Sequence, residues 1–409
     1  MLSKAFPRRM TVFVLVMLLV EFLDEFTFGV TETAWPFIRN ELDLNYAQIG
    51  LLIGIPLFLA NFIEPIFGLL ADTPRRRLVM VGGGIMYGVA LLWVASSQSY
   101  AMMMLALILL MPASGAFIGT AQASLMDHEP DRHDQNMARW TFAGSVGMVI
   151  GPLALGAFLL IGSGWRPLLV LIGGLMMLAA FIVWRLPANA ALRSHASDAD
   201  DAGEPEYGLM DNARLALGAL KRPAIWRWLI LLQFSDLMLD VLFSYLALYF
   251  VDVVGVGEAQ AGLAVAVWSS VGLLGDFLLI PLLERIQGLA YLRISVVAEL
   301  ILYPAFLLVD DITLKLVILG IIGLFNAGWY AILSGKLYSA LPGQSGIALT
   351  LGNVGGLFGS LIPALVGIVA SHYGLQAAMW VMLAGPVVLF IGLPWRTDKP
   401  IKLEESAAK

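Results

Sequence analysis

Apolar residues run along this chain in long stretches separated by short polar breaks. Twelve such runs can be placed, at residues 10–33, 47–70, 77–96, 101–126, 137–161, 166–186, 225–251, 258–283, 289–309, 313–340, 345–370 and 375–395. A helix needs roughly 20 mainly apolar residues to cross a bilayer core. Runs this long and continuous do not alternate as the strands of a lipid-facing barrel do. The pattern predicts an all-α integral membrane protein with twelve transmembrane helices.

The pattern also repeats. A shift of 212 positions lays Phe22 on Phe234, Asp24 on Asp236, Gly50 on Gly262, Glu64 on Asp276 and Asp72 on Glu284 without a gap. With one residue deleted, a shift of 211 lays Gly144 on Gly355, Pro152 on Pro363 and Gly156 on Gly367. An offset sustained through several helices marks an internal repeat. The expected organisation is two pseudo-symmetric six-helix halves, residues 1–187 and 224–409, joined by a connector at 188–223. Within the connector, Ser194 to Glu206 is polar and reads as a disordered linker. Leu209, Ala213, Leu217 and Leu220 fall near one face and read as an amphipathic helix on the membrane surface, with a partner-binding helix as the alternative.

Composition agrees. With 59% hydrophobic and 13% charged residues, the chain has too little polar surface to cover a soluble globule. Cysteine is absent, which excludes disulfides, thiolate metal sites and a thiol nucleophile. Lys4, Arg8 and Arg9 precede the first apolar run as in a signal peptide, but that run passes through Glu21, Asp24 and Glu25 and shows no small-residue cleavage site. Placing the N-terminus inside leaves only Arg39, Arg166 and Lys315 of 24 Lys and Arg on the outer side. By the positive-inside rule both termini and the connector are expected in the cytoplasm, in a multi-pass plasma-membrane protein, the inner membrane in a prokaryote.

The charges inside the runs carry the candidate chemistry. An acid at bilayer depth is costly enough to be a functional-site hypothesis. By helical spacing Glu21, Asp24, Glu25 and Glu32 share one stripe of the first span, and Gln233, Asp236, Asp240 and Ser244 form its counterpart on the seventh. Glu64 and Asp276 form a third pair, open to either coupling or helix-to-helix bonding. Three acids as close as Glu21, Asp24 and Glu25 cannot all ionise comfortably, so the cluster is a candidate proton site. Asp24 and Asp236 also fit structural acids bonded between the halves, and Glu32 a place in water at the mouth. Glu299, on a peripheral span, reads as a packing residue. Few cations face these acids. No phosphate-binding loop of the ATP-dependent type occurs, and neither a buried His nor a nucleophile elbow supports an enzyme. No cofactor, metal or nucleic-acid partner is expected.

The connection between the second and third runs reads Gly68-Leu69-Leu70-Ala71-Asp72-Thr73-Pro74-Arg75-Arg76-Arg77. Twelve helices in two halves with this loop resemble the major facilitator superfamily, whose signature here is Gly, three residues, Asp, a basic residue, any residue, Gly and two basic residues. Gly68, Asp72, Arg76 and Arg77 match, while Thr73 and Arg75 depart from it. Glu284 and Arg285 echo the loop in the second half. The resemblance implies a conformational latch at these residues. It also implies a central cavity lined by the first, fourth, seventh and tenth spans. Gly147, Gly151, Pro152 and Gly156 resemble the fifth-helix signature of the drug:proton antiporters, with the last glycine one place late. His128 to Arg139 and Tyr46 to Asp72 are similar to fosmidomycin-resistance-type exporters.

These readings together give a proton-coupled secondary transporter, an exporter of cationic or zwitterionic lipophilic small molecules working by alternating access, and a monomer by family habit. Proton coupling is assigned to Asp24, Glu21, Glu25, Glu64 and Asp276. Substrate binding is assigned to Asp236, Asp240, Gln233, Phe22, Phe26, Gln122, Asn326 and Tyr330. Nutrient uptake, a divalent-metal carrier and a non-transporting sensor are the rivals.

Overall fold

The computed structural model describes residues 11–71, 75–128, 133–186, 218, 221–283, 285–340, 351 and 355–394. Asp72, Glu284, both termini and nearly all of the connector, including most of its expected surface helix, lie outside the described residues.

Among the described residues the chain is helical throughout, in twelve spans. The first six are Val12–Leu42, Tyr46–Ala71, Arg76–Ser96, Tyr100–Ser114 continuing as Thr120–His128, His133–Leu160 and Trp165–Arg185. The seventh is Pro223–Ser235 resumed at Asp240–Tyr249, followed by Glu258–Leu283, Gly288–Leu308 and a tenth divided into Ile312–Asn326 and Trp329–Ser339. Ile362–Tyr373 belongs to the eleventh; Leu375–Val381 and Ala384–Gly392 make the twelfth. Eleven of these are long and apolar enough to cross a membrane. The first is 31 residues long, but every 18-residue stretch of it contains at least three ionisable side chains.

That first span runs nine residues past the apolar stretch that predicts it. Thr27, Thr31 and Thr33 turn their hydroxyls back onto the carbonyls of Leu23, Thr27 and Gly29 at 2.7–2.8 Å, so these polar side chains are satisfied within the helix. Asp43, in the left-handed region at φ 52°, ends it.

Close approach of backbones holds the spans together, as expected where no water drives association. A Cβ on Gly151 would lie 2.8 Å from Gly29 C and Val30 N, and one on Gly147 would press on the same helix at Phe22 and Phe26. Gly147 and Gly151 of the fifth-helix signature therefore join the fifth span to the first. Gly156 does not take part: five residues beyond Gly151 it has turned off the shared face, and a Cβ there meets nothing within 4 Å.

The first and last six spans meet at the end of the bundle where the first span ends and the second begins. Arg39 pairs with Asp252, Tyr46 Oη donates to Asp252 Oδ2 at 2.9 Å, and Arg39 Nη1 donates to Tyr46 Oη at 3.1 Å. One turn further in, Gly50 abuts the eleventh span so closely that a Cβ would lie 2.5 Å from Pro363 O. Its repeat partner Gly262 faces Pro152 O of the fifth span at a looser 3.7 Å. The sequence repeat thus becomes a pair of crossed seams.

Two basic residues sit differently from their expected places. Lys315, read as an outer-loop cation, lies buried in the first turn of the tenth span because its Nζ donates to Phe306 O at 2.6 Å and Tyr249 Oη at 3.1 Å. Arg77, assigned to the latch, donates to Trp184 O and, at 2.8 Å, Leu186 O, covering the unsatisfied carbonyls that end the sixth span. Arg293 does the same for Pro394 beyond the twelfth.

Candidate functional site

The seventh and tenth spans are both broken midway. In the seventh, a short 3-10 turn at Asp236–Met238 and Leu239 at φ −104°, ψ −98° interrupt the helix. In the tenth, Ala327 is extended and Gly328 takes φ +72°, a conformation a side chain would resist. The breaks face each other: Asn326 Nδ2 donates to Met238 O at 2.8 Å. Backbone freed in this way is tolerated at membrane depth only where protein or a cavity receives it. Asp236 and Asp240 flank the first break, and Asp276 of the eighth span accepts from Gly328 N at 3.1 Å at the second. Asp276 therefore caps the broken tenth span. Asp240 is exposed although it lies well inside the bundle, so the break opens onto an accessible space.

The acids of the first span divide among three directions. Asp24 points into its own half, where its Oδ1 accepts from Tyr87 Oη at 2.6 Å and Ser114 Oγ at 2.8 Å. Glu21 and Glu25 turn toward the fifth span, where a Cβ on Gly144 would lie 2.7 Å from Glu21 Oε1 and 3.1 Å from Glu25 Cγ. Glu32 is buried rather than placed in water at the mouth. It accepts from Trp35 Nε1 at 3.0 Å and meets Ser244 of the seventh span. Asp240 faces Glu25 and Glu32 from the opposite half. Glu64 packs on the π-turn at Gly115–Gly119 that interrupts the fourth span.

The other assigned residues scatter. Phe22 and Phe26 stack at 5.7 Å on the first span. Gln233 lies against Gly355 and Gly359 of the eleventh span, toward packing instead of the breaks. Gln122 is half-buried on the inner part of the fourth span, and Tyr330 is 62% exposed. Trp329, next to Tyr330 and not among the assigned residues, is directed into the second half, donating to Ser295 Oγ at 2.8 Å. Of the latch, Arg76 is buried and Arg285 exposed, and Gly68 belongs to the second span. Tyr87 and Ser114 carry no sequence signal; they become site residues only because the third and fourth spans fold against Asp24.

Every described Lys, Arg and His lies in the outer third of its span or in a connection, so the centre is acidic. No group of three His, Asp or Glu side chains converges as a metal site among the described residues.

Glu299 stands apart from this site. It is fully buried in the ninth span, and neither carboxylate oxygen has a hydrogen-bond partner. Burying an unpaired polar group costs on the order of 1–3 kcal/mol. Glu299→Leu is therefore expected to keep the fold and raise the melting temperature in detergent by a few degrees. A fall in melting temperature would show that the acid is bonded.

Three comparisons bear on the arrangement. A family model described as Major Facilitator Superfamily matches residues 17–362. A chloramphenicol resistance protein of Pseudomonas aeruginosa is 30% identical over 189 residues, an alignment that spans 45% of each chain. Among solved structures, a bacterial homologue of the human lysosomal transporter Spinster superposes with a TM-score of 0.70 at 19% identity, over 93% of this chain and 94% of that one. The nucleoside transporter NupG superposes with a TM-score of 0.73 at 14% identity, over 94% and 98%. At those identities the structures speak for the fold.

Proposed function

Because the chain belongs to the major facilitator superfamily, we propose that it is a secondary transporter that couples outward movement of cationic or zwitterionic lipophilic molecules to inward movement of protons. The observation that carries this reading is the pair of facing breaks in the seventh and tenth spans, flanked by Asp236 and Asp240 and opposed by the acids of the first span. Discontinuous helices meeting midway are how transporters build substrate sites. A centre lined with carboxylates, with no Lys, Arg or His in it among the described residues, suits positive charge, and the ring faces of Phe22 and Phe26 suit a lipophilic body.

In this reading Asp24 or Glu25 holds the proton and Asp236 with Asp240 holds the substrate, so that proton and cation compete for one acidic region. The Arg39–Asp252 end faces outward and the termini lie in the cytoplasm. The chloramphenicol resistance relative supports export, within the share of the chain it covers.

The test is accumulation in cells stripped of their own efflux pumps. Cells expressing the chain should hold less ethidium or tetraphenylphosphonium than controls, and a protonophore should erase the difference. Protonophore-sensitive gain of a nucleoside or sugar, with no effect on the drugs, would replace export by uptake.

A further inference from the structure

Asp24 is fixed by two helices other than its own. Tyr87 is buried on the third span, Ser114 is the last residue before the π-turn of the fourth, and both hydroxyls donate to the same oxygen, Oδ1. That leaves Oδ2 to take a proton. The next residue, Gly115, is where Glu64 of the second span seats itself: a Cβ there would lie 2.6 Å from Glu64 Oε1. One turn of backbone therefore carries a donor to Asp24 on one residue and the seat of Glu64 on its neighbour. The turn is wider than an α-turn, and such π-turns occur often at functional sites. Glu64 is seven residues from the end of the second span, so the line from Asp24 to Glu64 leads toward the end of the bundle opposite the Arg39–Asp252 pair.

We infer that Tyr87 and Ser114 are positioning residues for the proton held at Asp24, and that the π-turn at Gly115 aligns Glu64 to receive it. The inference rests on the reading of Asp24 as the proton site. In the transfer the O–H bond at Asp24 breaks, an O–H bond forms on the Glu64 carboxylate, and the negative charge passes from Glu64 to Asp24. Two O–H donors on Oδ1 favour the charged form left behind. The titratable groups around Asp24 are Glu21 and Glu25 on its own helix, Tyr87 on the third span and Glu64 on the second; Asp240 of the seventh faces Glu25. The fourth span contributes the neutral Ser114 and the fifth contributes glycines.

Infrared difference titration of the full chain in lipid, with no substrate added, tests this. The carboxylic-acid band removed by Asp24→Asn should titrate in the wild type. In Tyr87→Phe and in Ser114→Ala its midpoint should move about one pH unit to the alkaline side, a tenfold change in proton affinity for one lost charge-assisted hydrogen bond. Gly115→Ala should displace the band assigned through Glu64→Gln. If the Asp24 band titrates but neither hydroxyl deletion moves it, the positioning role is wrong while the proton site stands. If no titrating band belongs to Asp24, the proton reading falls and this inference with it. Tyr87→Phe removes only a hydroxyl, which guards the test against a variant that fails to fold.

Discussion

Asp24→Asn is expected to cut proton-driven efflux at least a hundredfold while the protein still folds. Asparagine keeps the shape of the side chain and an oxygen that can accept from Tyr87 and Ser114, so the packing of the first, third and fourth spans survives. What disappears is the ability to bind and release a proton. Efflux of ethidium from everted vesicles, set against the amount of folded protein from size-exclusion chromatography, measures both. Loss of transport together with loss of the folded peak would instead make Asp24 a structural acid. Asp236→Asn provides the contrast, since its charge belongs to the substrate region: apparent affinity for a cation should weaken while proton binding persists.

The second large effect is expected at the seam between the halves. Gly50→Ala places a methyl group 2.5 Å from Pro363 O, and 2.9 Å from both Ala364 Cα and Tyr245 Oη. Two of these three are backbone atoms and cannot step aside cheaply. The closure sealed by Arg39, Tyr46 and Asp252 should therefore fail, and transport should fall by tenfold or more. Gly262→Ala is the control within the same repeat. Its Cβ would meet Thr33 Cγ2 at 3.4 Å and Pro152 O at 3.7 Å, which are ordinary contacts, so its activity should stay near wild type. The absence of native cysteine makes the readout clean. In the Gly50→Ala background a cysteine placed at Val251, half-buried beside Asp252 and outside the Arg39–Asp252 pair, should react faster with a water-soluble maleimide than in the wild type. Equal labelling and activity in both glycine variants would refute the closed seam.

Helices were legible because the bilayer imposes one rule on every span, and apolar runs report it directly. The repeat was legible because glycine and acid positions recur at one offset; the close approach of Gly50 to Pro363 shows why the first copy needs glycine, while Gly262 keeps the position at a looser distance from Pro152. Direction around a helix was harder. Helical spacing puts Glu21, Asp24 and Glu25 on one broad face, yet that face is wide enough for Asp24 to meet the third and fourth spans while Glu21 and Glu25 meet the fifth. The break in the seventh span left no mark, since Asp236-Leu237-Met238-Leu239 contains neither Gly nor Pro. The break in the tenth could have been suspected from Gly328, and the π-turn of the fourth from Pro112, Gly115 and Gly119. Gly156 misled because a motif residue says what type is present and not which neighbour lies opposite.

The central claim is that a substrate cation and a proton exchange through Asp24. Proteoliposomes holding the full chain, an imposed pH gradient and a pH-sensitive dye inside test it most directly, with ethidium added to the wild type and to Asp24→Asn. The account predicts a proton movement in the wild type that begins with the addition of ethidium and is absent from the variant. A proton movement of equal size in Asp24→Asn would contradict it.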